Sequence, residues 1–93
     1  MIRSFRSKDT ERLFLREPVR RWGPDVQHIG LRKLRMLDAA TTLDDLRRLP
    51  GNRLEKLRWD RLGEWSIRVN DQWRVCFRWE GTHAYDVELV DFH

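Results

Sequence analysis

The most regular alternation of apolar and polar positions lies in Gly63–Trp79. Trp65, Ile67 and Val69 share one face of a run that carries Ser66 and Arg68 on the other. Trp73, Val75, Phe77 and Trp79 do the same against Arg74, Cys76 and Arg78. Period-two alternation predicts two half-buried strands. Setting Val69 opposite Trp73 brings Ile67 to Val75, Trp65 to Phe77 and Arg68 to Arg74, with every apolar side chain on one side. A two-residue turn would mix the faces, because a one-residue slip moves each side chain across the sheet. The pattern therefore predicts a three-residue connection through Asn70-Asp71-Gln72, with Asn70 or Asp71 in the left-handed conformation. A second turn at Gly81 leads to a further strand over Ala84–Val90.

Upstream, the pattern changes period. Met1–Phe5 reads as a short first strand. Ser7 is placed to cap a helix from Lys8 to about Glu17, with Asp9 and Glu11 near its positive end and Pro18 beyond it. Leu13 and Phe14 are its inward residues. Pro24 opens a second helix to about Ala40, with Val26, Ile29, Leu34 and Leu37 on one side and Leu31 and Met36 off the stripe. Thr42 and Asp45 resemble a capping box for a helical turn from Leu43 to Arg48, which Pro50-Gly51 ends. A short strand near Leu54–Arg58 brings the chain to the hairpin. The order predicts an α+β domain spanning residues 1–93. In it an N-terminal strand and two helices pack on one face of a mainly antiparallel sheet of three to five strands, and the opposite, arginine-bearing face stays open.

Composition narrows the function. The chain has 93 residues, is 40% hydrophobic and holds five Trp, which argues against disorder. No apolar run approaches the ~18 residues of a membrane span, and no signal-peptide core is seen, so a cytoplasmic protein with no membrane partner is expected. The single Cys76 excludes an internal disulfide and a cysteine metal cluster, and its position suits a small core filler. Lys and Arg number 19 against 15 Asp and Glu, and only Lys8, Lys33 and Lys56 are lysine. Arginine forms forked contacts to phosphate and stacks on bases, so a polyanion or an acidic protein is the expected partner. Solvated surface arginines are the plainer reading of any one of them.

No phosphate loop, dinucleotide fingerprint or zinc motif is present. His28, His83 and His93 are far apart, so no metal is expected, and no cofactor either. The remaining chemistry is a set of charged groups around the sheet: Glu55, Arg58, Arg68, Arg74, Asp91 and His93. Cleavage of RNA through its own 2′-OH requires a proton acceptor, a proton donor to the leaving 5′ oxygen, and positive charge for the phosphorane-like transition state. His93 suits proton transfer, and Arg58 and Arg74 suit the charge. A frayed Asp91-Phe92-His93 end beside a simple binding face fits the same residues.

Pro50-Gly51-Asn52-Arg53-Leu54-Glu55, the run from Asp60-Arg61-Leu62-Gly63-Glu64-Trp65-Ser66-Ile67-Arg68-Val69 through Trp73-Arg74-Val75-Cys76-Phe77, and the closing Asp91-Phe92-His93 resemble the HigB-like (host inhibition of growth B) toxins of the RelE/ParE superfamily. Ile2-Arg3-Ser4-Phe5-Arg6 followed by a helix fits the same pattern. The resemblance covers essentially the whole chain. It implies a type II toxin that cuts mRNA on the translating ribosome as a metal-independent endoribonuclease. It also implies neutralisation by a HigA-like helix-turn-helix antitoxin, with operator DNA bound only through that complex.

By position, Arg74 matches a family phosphate-binding arginine, Arg58 stands where many members have Lys, and Asp91 and His93 match the closing catalytic or substrate-binding group. Arg53, Arg68, Arg78 and Phe92 are the expected RNA contacts. Phe92 replaces the Tyr of some members, which removes a hydroxyl. Glu55 stands where some carry a catalytic His within an L-H-P-L run. Either Glu55 is the base, or proton transfer rests on Asp91 and His93. The alternatives of another class are a non-enzymatic, ParE-like inhibitor of DNA gyrase and a generic RNA-binding module.

Overall fold

A computed structural model describes residues 1–92. Among them are three α-helices, α1 (Lys8–Phe14), α2 (Pro24–Ala39) and α3 (Leu43–Arg47), and four strands, β1 (Glu55–Lys56), β2 (Glu64–Arg68), β3 (Trp73–Glu80) and β4 (His83–Asp91). The sheet is antiparallel throughout, in the order β1-β2-β3-β4.

The hairpin has the register that its faces demand, with Arg68 opposite Arg74, Ile67 opposite Val75 and Trp65 opposite Phe77. Its connection differs in one respect, since neither Asn70 nor Asp71 is left-handed. Instead the Asn70 side-chain oxygen accepts from the backbone N–H groups of Gln72 and Trp73, both at 2.8 Å. An Asx turn holds the chain without a positive φ.

The apolar face of the sheet meets the helices. Leu13, Leu34, Leu37 and Leu46 from α1, α2 and α3 join Ile67, Val69, Val75, Phe77, Val87 and Leu89 in one core. Val26, Ile29, Leu31 and Met36 are partly buried at its margin, so the α2 stripe is wider than the sequence suggests. Gly30 is the close point between layers, because a Cβ there would stand 3.2 Å from Leu13 and 3.5 Å from Leu89.

Three elements are shorter than expected. Ser7 caps α1 through the Thr10 N–H, but the helix ends at Phe14 rather than Glu17. Arg16 takes φ +66°, its N–H bonds the Leu13 carbonyl, and the Glu17 N–H bonds that of Arg12. This is a Schellman closure, with arginine where glycine is usual. The Thr42–Asp45 capping box of α3 is present as expected. The strand expected over Leu54–Arg58 shrinks to two residues, because the chain turns away at Arg58 into a 3₁₀ turn, Trp59–Arg61.

The expected first strand, Met1–Phe5, is reduced to two parallel bridges to β4, at Ile2–Ala84 and Phe5–Val87. The cause is a bulge in β4. Asp86 has φ +54°, and the β3–β4 register shifts by one residue between Cys76 and Arg78. The apolar spacing Ala84, Val87, Leu89 already carries that slip. The outer edge of β4 is still covered, first by the Met1 and Ser4 carbonyls and then by Thr10, whose hydroxyl accepts from the Leu89 N–H at 3.0 Å. A covered edge cannot template further strand pairing.

Candidate active site

The second face of the sheet is not simply open, as the sequence suggested. Cys76 and Ser66 have no exposed surface and Glu64 has 5%. The arginines themselves fold down over them. Arg61, from the Trp59–Arg61 turn, bonds Glu64 on β2 at 3.1 Å and Glu88 on β4 at 3.0 Å, spanning Cys76 on the strand between. Arg6 adds a second contact to Glu64 at 3.3 Å. Burial works against the Arg61 charge, but the hydrogen bond to Glu88 and the neighbouring carboxylates outweigh it and raise its pKa. Beneath it, burial pushes the Cys76 thiol up to about 12. Cys76 is a filler with no thiolate to offer at neutral pH.

Arg74 is handled differently. It lies on the same face, opposite Arg68 on β2 and Val90 on β4. Its Nε donates to the Ser66 hydroxyl at 2.6 Å, and its Nη2 donates to the Ser66 carbonyl at 3.2 Å and to the carbonyl of Arg53. All three partners are neutral oxygens. Burial holds the Arg74 pKa below its usual value; Glu55 pulls it up, and Arg68 and Arg53 push it down again. Arginine titrates so high that the guanidinium stays charged regardless. The result is an oriented, half-buried cation with no carboxylate bound to it among the described residues.

The loop that receives Arg74 is fixed from behind. Asn52 is fully buried; its side-chain N–H₂ donates to the Leu46 carbonyl at 3.0 Å, and its oxygen accepts from Lys33 Nζ at 2.7 Å. Lys33, buried on α2, has its pKa lowered by burial first and by Arg32 and Arg68 next. Arg53 follows in the left-handed region at φ +41°, which turns its carbonyl toward Arg74.

The other expected residues fall into two groups. Glu55 pairs with Ser66, so it sits on the Arg74 face of the edge strand, exposed and close enough to act on the Arg74 charge. Arg58 is exposed at the head of the Trp59–Arg61 turn. Together with Trp59, Val90 and Phe92 it lines a cleft of about 280 Å³ between that turn and the end of β4. Asp91 also borders this cleft, but the register puts it opposite Trp73, and its carboxylate accepts from Gln72 Nε2 at 3.0 Å.

Arg68 is paired with Asp71 at 2.6 Å. Arg78 lies at the other end of β3, four residues or roughly 14 Å from Arg74. Its guanidinium is taken up by Asp86, at 2.8 Å, and Glu80. His93 lies outside the described residues. Sequence reasoning missed Ser66, Arg61, Glu64 and Glu88. Only Ser66 had a signal, as the small polar residue diagonal to Arg74 in the hairpin register.

A helix-backed antiparallel sheet with arginines on its far face and a cleft at one end defines a RelE-like α+β protein. The family model for the RelE-like toxin HigB of type II toxin–antitoxin systems matches residues 3–93, and the chain belongs to that family. Toxin HigB-1 of Vibrio cholerae is 40% identical, over 85% of this chain and 84% of that protein. Endoribonuclease HigB of Proteus vulgaris is 37% identical over 100% of both. An uncharacterized protein of Haemophilus influenzae is 38% identical over 62% of this chain and 57% of its own length. Membership implies an antitoxin partner.

Proposed function

We propose that this toxin is an endoribonuclease that cuts mRNA on the translating ribosome without a metal and is neutralised by a helix-turn-helix, HigA-like antitoxin. The observation that carries the reading is Arg74, whose hydrogen-bond partners among the described residues are neutral oxygens. A cation neutralised by a carboxylate is spent, whereas one oriented by carbonyl and hydroxyl groups keeps its charge for a phosphate. The name of the Proteus vulgaris relative, an endoribonuclease, supports the same chemistry.

In the proposed reaction the 2′ oxygen of one nucleotide attacks the adjacent phosphorus and the bond to the 5′ oxygen breaks, leaving a cyclic phosphate. Arg74, with Arg58 from the cleft that its strand neighbour Val90 also lines, stabilises the charge on the pentacoordinate phosphorus. Glu55, on the same face, would accept the 2′ proton while His93 protonates the leaving 5′ oxygen; in the alternative set Asp91 and His93 carry both transfers. Arg53, Arg68, Arg78 and Phe92 are RNA contacts in this reading. Arg53 and Arg68 flank Arg74, while Arg78 would meet RNA only at the distant end of the sheet and at the expense of its ion pairs. Sparse acid–base equipment suits an enzyme whose substrate is oriented by the ribosome.

Primer extension on a reporter mRNA in a bacterial translation reaction tests the proposal. Wild type is expected to leave cut ends only while translation runs, and Arg74→Ala and His93→Ala to leave none in the same reaction time. An intact message with supercoiling by gyrase inhibited would replace the ribonuclease by the ParE-like reading.

A further inference from the structure

We propose that Trp59 is a stacking platform for one unstacked base of single-stranded RNA, seated in the cleft between the Trp59–Arg61 turn and the end of β4. The proposal deepens the ribonuclease reading and rests on it. Trp59 is 90% exposed, while Leu57, two residues earlier and in the lining of the same cleft, is 8% exposed. Its backbone is left-handed, at φ +60°, a conformation that bulky side chains rarely adopt.

The segment is also firmly held. The Leu57 N–H bonds the Glu64 carbonyl at 2.8 Å, closing the loop at its base, and the Leu62 N–H bonds the Trp59 carbonyl at 3.1 Å. Arg61 fastens the turn to β2 and β4. A loop so tied, with its largest side chain directed outward, presents an aromatic surface to solvent from a held backbone.

The surroundings specify the occupant. Phe92, 44% exposed, lines the same cleft, so two aromatic rings border one space. Its volume, about 280 Å³, is near the low end of the roughly 300–1,000 Å³ typical of small-molecule sites. Arg58, exposed, also lines it, and so does Val90, the cross-strand neighbour of Arg74. Aromatic surfaces beside cations are how proteins hold single strands, rings on bases and cations on phosphates. Asp60 and Asp91 also line the cleft, which disfavours a phosphate inside it. A neutral base fits within, and the attached phosphate lies outside toward Arg58 and Arg74.

The test uses ribosomes programmed with synthetic mRNAs, either intact or carrying one abasic nucleotide at successive positions around the cut. Cleavage is timed for wild type, Trp59→Ala and Trp59→Phe. Trp59→Ala is expected to cut the intact message about tenfold more slowly, the loss of one stacked base. Trp59→Phe should keep most of the rate. At one abasic position, wild type and Trp59→Ala should become equal. Wild-type rates from Trp59→Ala on every message would overturn the proposal and leave the ribonuclease reading standing. An equal loss on intact and all abasic messages would also overturn it, as a mere effect on folding. Normal cleavage that the antitoxin no longer stops would assign Trp59 to the protein partner instead. No cleavage by wild type on any message would remove both readings.

Discussion

Arg61 and Arg74 share one face of one sheet and have opposite fates. Arg61 is bound by Glu64 and Glu88, and its charge is consumed in closing a loop over Cys76. Arg74 is bound by the Ser66 hydroxyl and two carbonyls, which fix its direction and leave its charge intact. The difference is not in the arginines but in what the neighbouring strands place beside them. A face rich in arginine is therefore two regions, one structural and one that the proposed reaction would use for a phosphate.

Removing each cation in turn should separate the two. Arg74→Ala is expected to lower the cleavage rate by about 10²–10³-fold, the usual effect of losing one charge-stabilising donor. Arg74→Lys should recover little, since an ammonium cannot reproduce the forked contacts. Both variants should stay folded, with Arg74→Ala losing about 1 kcal/mol in urea unfolding because the buried Ser66 hydroxyl loses its partner. If cleavage survives Arg74→Ala, the distinction between the two regions fails.

Arg61→Ala should act the other way, chiefly on stability. It strands the buried Glu64, a change worth roughly 3–5 kcal/mol when no partner remains. Arg6 still reaches Glu64, so about 2 kcal/mol is expected by urea unfolding, below that range because one partner persists. A variant as stable as wild type would show that the Arg61 bridge holds nothing.

Lys33 sharpens the comparison, as a second buried cation answered by a neutral oxygen. Its pKa is lowered in the folded state, so between that value and the unfolded 10.5 the unfolded chain binds more protons. Stability should then rise with pH through that alkaline window. Below the folded pKa the cost of the buried charge is fully present. Lys33→Met should lose this alkaline rise, and it leaves the Asn52 oxygen unpaired at about 1–2 kcal/mol. Parallel pH–stability curves for the two proteins would contradict the assignment.

The smallest expected effect is at the hairpin turn. Asn70→Ala removes two side-chain bonds to Gln72 and Trp73 and should cost about 1 kcal/mol in urea unfolding. Cleavage per folded molecule should be unchanged, because the strand pairing already fixes Arg74.

The hairpin was legible because one face must be wholly apolar, and that condition admits a single register. The Ser7 cap, the Pro24 start and the Thr42–Asp45 box were legible for a similar reason, since each is settled within four residues. Arg16 was not, because a left-handed arginine replaces the glycine that would have announced the helix end. Glu55, Arg58 and Arg74 could be named as candidates, but not the oxygens of Ser66 and Arg53 that aim Arg74. The Arg61 bridge joins residues 3 and 27 positions apart, and nothing in the local pattern requires the longer contact.

The sequence by itself determined which residues alternate, where helices begin, how the hairpin is registered and which family the chain resembles. These follow from local geometry and from the two periods of helix and strand. Only the tertiary structure decided which arginines keep their charge, how the β4 bulge shortens the first strand, and that Trp59 and Phe92 border one cleft. Those outcomes depend on distances between strands. A chain's order of residues constrains such distances only after the sheet has closed.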